Sequence, residues 1–173
     1  GNALSGVFDL KMRTGNRWER EYMAQMSFDG MEVAMEGPFS KSNNNATYLA
    51  NYRYSTWEIV DALGIKFGPS AIPKYQDASF KMDFMKTKIG KISIWGFGGT
   101  NSIAMLESEK DAEDWSFGGS ASDKYLNSKT GVIALSHTYF FNNTMRIETN
   151  ISQSGFVLEQ KRDSLNLDYD VFP

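Results

Sequence analysis

The sequence predicts an all-β chain folded as an antiparallel up-and-down meander, and three observations carry that prediction. Apolar and polar residues alternate with period two through segment after segment, as on a pleated strand whose neighbours face opposite sides. The segments are separated by Gly, Asn, Asp and Ser clusters with turn chemistry. The connections alternate in length: short at 41–46, long at 57–74, short at 87–90, long at 107–129 and short at 142–144.

The elements follow in order. Residues 7–13 place Val7, Asp9, Lys11 and Arg13 on one face and Phe8, Leu10 and Met12 on the other, with Gly6 before and Thr14-Gly15-Asn16 after, so a strand is expected there. Residues 18–28 give a second, with Tyr22, Ala24, Met26 and Phe28 opposite Glu19, Glu21, Met23, Gln25 and Ser27. Asp29-Gly30 is a two-residue hairpin signal. Residues 31–39 return, with Met31, Val33, Met35 and Phe39 opposite Glu32, Ala34 and Glu36. Pro38 near the end of that strand costs little, because few donors remain to be lost. Residues 47–56 set Tyr48, Ala50, Tyr52 and Tyr54 against Asn51, Arg53 and Ser55, and a short helix is expected at 56–64, ending at Gly64.

Residues 75–86 alternate most cleanly, with Gln76, Ala78, Phe80, Met82 and Phe84 opposite Asp77, Ser79, Lys81 and Asp83. Residues 91–106 form a long strand carrying Gly96, Gly98 and Gly99. The loop at 107–129 is acidic at its start and rich in Gly and Ser later. Residues 130–141 and 145–162 give the last two strands, the latter with Met145, Ile147 and Ile151 opposite Arg146, Glu148, Asn150 and Ser152. Residues 163–173 have no clear assignment.

Composition removes several classes of function. A net charge of −3 supplies no basic field for nucleic acid. The absence of cysteine removes disulfide frameworks, thiol catalysis and cysteine metal sites, and a single histidine, His137, removes a histidine-rich zinc site. No stretch approaches the roughly 18 apolar residues of a membrane helix. The mean hydropathy of −0.42 leaves a membrane β-barrel open, because such a barrel exposes apolar side chains only at alternate positions. No signal peptide opens the chain. The chain begins inside a motif and stops at Val171-Phe172-Pro173 without a terminating feature, so a fragment is expected.

In an up-and-down sheet consecutive connections lie at opposite ends, so after the Asp29-Gly30 hairpin the short ones gather at one end and the long ones at the other. With aromatic-rich strands of roughly 10 or more residues, that asymmetry describes part of a transmembrane β-barrel, with short inner turns and long outer loops. A soluble up-and-down barrel shares the alternation but turns its apolar face inward. Alternation alone does not say which face is enclosed, although the charges in the rows Asp77, Lys81, Asp83 and Arg146, Glu148 suit a water-filled or plugged lumen.

The stretch GNALSGVFDLKMRTGN resembles the junction between plug and barrel in TonB-dependent outer-membrane receptors. Glu36-Gly37-Pro38-Phe39, Asn51-Tyr52-Arg53-Tyr54-Ser55 and Ser136-His137-Thr138-Tyr139-Phe140-Phe141 are similar to early-barrel stretches of the branch with an added carboxypeptidase-regulatory-like N-terminal domain. The likeness covers most of the chain, and its specificity lies in the order of the stretches, since no single motif is a chemical signature. The resemblance implies that residues 1–16 end the plug domain and that 17–173 are the N-terminal part of the outer-membrane β-barrel. About seven barrel strands would then belong to a barrel of about 22, roughly a third of a receptor. It also implies uptake of a scarce nutrient (siderophore, cobalamin, glycan or peptide) across the outer membrane of a Gram-negative cell. The TonB complex would be engaged through parts of the parent outside this chain. The partners expected are the lipid bilayer and a small nutrient ligand, with no nucleic acid, no cofactor and no covalent chemistry. Two alternatives stay open: a small self-contained barrel of about eight strands, binding or enzymatic, whose first strand pairs with its last, and a soluble lipocalin-like carrier.

Candidate site residues divide by place. Trp57, Trp115 and Phe117 lie in the long loops, where rings stack on a ligand or anchor the loop at the membrane interface. Asp77, Lys81, Asp83, Arg146 and Glu148 are expected to face the lumen, and in the resembled family such rows mostly hold the plug. Ser136 and His137 are adjacent on a strand and point to opposite faces, so they form no hydrolytic pair, and parity groups His137 with Ile133, Leu135 and Tyr139 as a structural or interfacial residue. Gly96 to Asn101 lacks the Gly-Lys-Ser/Thr ending and the strand-to-helix setting of a phosphate loop. Glu107, Glu109, Asp111, Glu113 and Asp114 crowd one loop without EF-hand spacing, which leaves a solvated loop or a loosely held divalent ion. No catalytic or metal-binding residue is assigned.

Overall fold

The computed structural model describes residues 11–27, 30–56, 71–108 and 122–164, and in it seven strands form a single sheet in chain order. They are β1 (Glu21–Met26), β2 (Gly30–Ser40), β3 (Asn43–Ser55), β4 (Ala71–Thr87), β5 (Gly90–Met105), β6 (Ser122–Phe140) and β7 (Arg146–Ser164). Each pairs antiparallel with the next. The fold is therefore the expected all-β up-and-down meander, with no helix among the described residues. The sheet is open: β1 and β7 are its two edges and do not pair with each other.

Several boundaries differ from expectation, each for a local reason. β1 starts at Glu21, because the Asn16 side chain accepts the amides of Trp18 at 2.9 Å and Glu19 at 3.2 Å and turns the chain first. Of the strand expected at 7–13, residues 11–13 are described and belong to no strand. β6 begins at Ser122, well inside the expected loop, and β7 runs on to Ser164. Their extra stretches carry polar residues on both faces, so they give no alternation signal, yet Lys124 pairs with Met105 on one side and Arg162 on the other. Ladder hydrogen bonds extend these strands where side chains give no pattern. The helix expected at 56–64 lies outside the described residues apart from Thr56.

Register sorts the side chains into two faces. On one, Glu36, Leu49, Lys81, Trp95 and Ala134 pair across successive strands, followed by Ala34, Asn51, Ser79, Phe97 and Val132. On the other lie Met35, Ala50, Phe80, Gly96 and Ile133, flanked by Tyr48, Met82, Ile94, Leu135 and Ile151. On β6 the second face carries Gly131, Ile133, Leu135 and Tyr139, interrupted by His137, and turns polar at Lys129 and Asn127. At roughly 3.3 Å per residue this apolar band rises about 26 Å along the strand. Rings gather at its short-turn end: Phe39 meets Tyr48 at 5.3 Å and Phe84 at 6.0 Å, and Tyr139 meets Phe141 at 5.0 Å.

On β2 and β4 burial runs opposite to the usual sense, whereas on β5 the face of Ile92, Ile94 and Gly96 is the more enclosed one. Pro38 and Ala134 are the buried apolar side chains among the described residues, whereas Thr47, Ser55, Thr56, Asp83, Ser122 and Asp123 are all buried. Val33 is 50% exposed and Ile151 is 63% exposed. The charged face of β2 and β4 is more enclosed than their apolar face.

Gly96 shows how tightly the apolar side is fitted at the centre of the sheet. A side-chain carbon there would stand 2.8 Å from the Val132 carbonyl oxygen and 2.9 Å from Cε1 of Phe80, so the Phe80 ring lies over bare backbone. Gly96→Val should destabilise the fold by about 1–3 kcal/mol, the usual cost of overpacking. Denaturant unfolding checks this, and an unchanged midpoint would mean the ring is free to move aside.

Candidate functional site

The charged face carries the chemistry. β3 and β4 hold Arg53 opposite Asp77, and their side chains meet fork to fork: Arg53 Nε donates to both Asp77 oxygens, at 3.0 and 3.2 Å, and a terminal nitrogen donates at 3.0 Å. The Arg53 guanidinium also lies 5.9 Å from the Tyr75 ring centre. One residue pair away, Asn51 donates to Glu32. Lys81 Nζ stands 3.6 Å from Asp83, and Asp83 accepts from Ser93 on β5. Enclosed carboxylates are tolerable here because each has a cation or a donor beside it.

Of the expected lumen residues, Asp77, Lys81 and Asp83 fall on this face, and the register brings Arg146 and Glu148 to the same side. They form two separate groups. Asp77, Lys81 and Asp83 sit with β3 and β5, whereas Arg146 and Glu148 pair only with each other, at 3.0 Å on the edge strand, and both are exposed. Trp57, Trp115 and Phe117, and the acidic residues Glu109, Asp111, Glu113 and Asp114, lie outside the described residues. Among the described residues no group of three or more His, Cys, Asp or Glu is placed to hold a metal ion.

His137 lies on the apolar face, as parity requires, with Nε2 2.6 Å from the Ile89 carbonyl oxygen in the neighbouring turn. Its polar edge is thereby satisfied within the apolar rows, which fits a structural residue. The run from Gly96 to Asn101 is the middle of β5, with no helix after it, so it has no phosphate-loop geometry.

Sequence reasoning missed the residues that complete this face. Glu36 takes the Arg13 guanidinium through both carboxylate oxygens and also accepts the Asn16 amide at 2.7 Å. That hydrogen bond raises the Arg13 pKa above its ordinary value, against a smaller opposing effect of burial. Lys81 donates to the Met12 carbonyl at 2.8 Å. The available signal was parity, since Arg53 shares a face with Asn51 and Ser55, but its pairing with Asp77 spans the long connection between β3 and β4.

Open grooves lie on this face. One of about 660 Å³ is lined by Arg53, Tyr75, Asp77, Phe97, Asn101 and Ser128, toward the long connections. Another, of about 520 Å³, lies beside Met12 and Arg13 and is lined by Glu21, Glu32, Glu36 and Asn51. Both combine apolar surface with donors and acceptors, a lining able to hold a polar organic ligand or a folded polypeptide surface.

Arg53 is 52% exposed and Asp77 33% exposed, so solvent screens their pair. A double-mutant cycle with Arg53→Ala and Asp77→Ala should give a coupling of about 0.5–1 kcal/mol in unfolding free energy, at the upper end for exposed pairs because the geometry is bidentate. A coupling near zero would show that the pair is not formed in solution.

Comparison with protein-family models, with curated proteins and with solved structures gives no significant match to this chain.

Proposed function

We propose that this chain is a section of an outer-membrane β-barrel, the plug–barrel junction and first barrel strands of a TonB-dependent receptor that imports a scarce nutrient. The observation that carries the membrane part of this reading is the reversed sidedness of β2 and β4, although on β5 the face of Ile92, Ile94 and Gly96 is the more enclosed one. Charged side chains occupy the more enclosed face of β2 and β4, and apolar ones are displayed outward. Water penalises that display at roughly 25 cal/mol per Å² of apolar surface, whereas hydrocarbon does not. The outward band of about 26 Å along the strand, bounded by rings at one end and by polar rows at the other, stands roughly 20 Å tall at the tilt of about 35–45° usual for membrane strands, somewhat short of the ~25 Å apolar belt of outer-membrane barrels.

The receptor part rests on the resemblance and on one feature of the chain path. Residues 11–16 reach β1 from over the charged face, the side on which a plug lies when a barrel surrounds it. A small self-contained barrel calls for its first strand to lie against its last, whereas residues 11–13 lie on the face of the sheet and β7 has no strand on its outer edge among the described residues. A lipocalin-like carrier calls for an enclosed apolar face, the reverse of the burial here. In this reading the chain binds and passes a ligand without covalent chemistry, and the charged face holds the plug.

The absence of cysteine makes the test clean. Single cysteines at Ile133, Leu135 and Ile151, and at Thr130, Ser136 and Ser152 on the other face, are labelled with a fluorophore in the membranes of a Gram-negative host. Quenching by nitroxide lipids should be strong at the first three and weak at the second three. Equal quenching on both faces, or none at either, overturns the membrane reading. In the same setting Leu135→Arg should cost about 2–4 kcal/mol of folding free energy, as charged groups do at mid-bilayer on a barrel's outer face.

A further inference from the structure

The described end of the expected strand at 7–13 is a strap. Residues 11–16 cross the charged face transverse to the strands, with anchors on four strands in turn. Over β4 the Met12 carbonyl accepts from Lys81 at 2.8 Å. Over β3, Gly15 lies so close to the Tyr48 carbonyl that no side-chain carbon fits between them. At β2 the Arg13 guanidinium and the Asn16 amide both end on Glu36. At β1 the Asn16 side-chain amide donates to Glu21 at 2.5 Å. Glu36, Leu49 and Lys81 are paired across β2, β3 and β4, so the strap follows one row of the sheet.

We propose that residues 11–16 are a releasable latch, fastened across the charged face by Glu36 and Lys81. The fastenings named are polar or backbone contacts, and the ladder from β2 to β5 is complete without them. Three of the hydrogen bonds converge on one carboxylate, so they are lost together when it lets go. Arg13 is 64% exposed, which keeps the pair reachable by solvent and weaker than the sheet it is fastened to. Such an attachment opens on its own, below the free energy of global unfolding. The proposal stands on the strap's geometry and does not depend on the membrane reading.

Limited trypsin digestion of the full chain, in the medium in which it folds, tests the latch. Lys11, Arg13 and Arg17 are the cleavage points within or beside it, and mass spectrometry identifies each cut. The wild-type strap should be cut far more slowly than a free peptide of the same sequence. Glu36→Gln, which keeps the volume and removes the charge, should speed those cuts about tenfold or more, as expected for losing hydrogen bonds to a charged group. Gly15→Val should do the same by forcing the strap off the Tyr48 carbonyl while leaving every sheet residue in place. Glu32→Gln, on the same strand and face but bonded to Asn51, should leave the rate unchanged. Far-UV circular dichroism reports the sheet in parallel. The proposal is overturned if the wild-type strap is cut as fast as the peptide, or if Glu36→Gln and Gly15→Val leave the rate unchanged. It is also overturned if Glu32→Gln speeds the cuts equally, or if the two strap variants lose the sheet together with the strap, which would make the strap part of the fold.

Discussion

Backbone pairing across the antiparallel ladder is what the rest of this structure depends on. With Pro38 and Ala134 the only buried apolar side chains among the described residues, no apolar core sets the strands in place. Register must therefore come from the hydrogen-bonded ladder and from tight turns such as Lys88-Ile89 between β4 and β5. A slip of one residue would exchange the faces of a whole strand. On β4 it would carry Asp77, Lys81 and Asp83 into the apolar rows, each stripped of its partner on β3, on β5 or in the strap. Unpaired charges among exposed apolar side chains are costly both in hydrocarbon and within the sheet, so charge pairing and register reinforce one another.

That mutual support explains how polar groups come to be the enclosed ones. Asp83 is 6% exposed beside Lys81 and Ser93, and Glu36 is held by Arg13 and Asn16. Thr47 pairs with Asp83 in the ladder, and its hydroxyl oxygen and one Asp83 oxygen find no hydrogen-bond partner among the described residues, a place suited to an ordered water. The same sidedness underlies the functional proposal. The proposal sets the apolar band of the open side against hydrocarbon, where its display carries no hydration cost.

Much of the fold was legible in the residues, and the failures have specific causes. Period-two alternation located strands within residues 18–28, 31–39, 47–56, 75–86, 91–106, 130–141 and 145–162, and the alternation of Asp77, Lys81 and Asp83 with Phe80, Met82 and Phe84 predicted the faces of β4 correctly. The start of β6 was missed because Ser122 to Lys129 is polar on both sides, so the pattern that marks a strand bordering an apolar band is missing there. Residues 11–13 alternate like a strand and form none, because the Asn16 turn and the grip of Glu36 and Lys81 lay that segment across the sheet. The role of Glu36 was invisible: nothing local distinguishes it from Glu32, four residues earlier on the same face.

By itself the sequence determined that there are strands, where most of them run, which residues share a side of each strand, and that after the first hairpin short and long connections fall at opposite ends. These are local properties, set by a two-residue repeat and by turn chemistry. Only the tertiary structure decided which side is enclosed, since a repeat of two defines two faces without ranking them. It alone joined Arg53 to Asp77, 24 residues away, and Arg13 to Glu36, 23 residues away. Those contacts depend on register across neighbouring strands and on the path of a strap over the sheet, which no periodicity within one segment encodes.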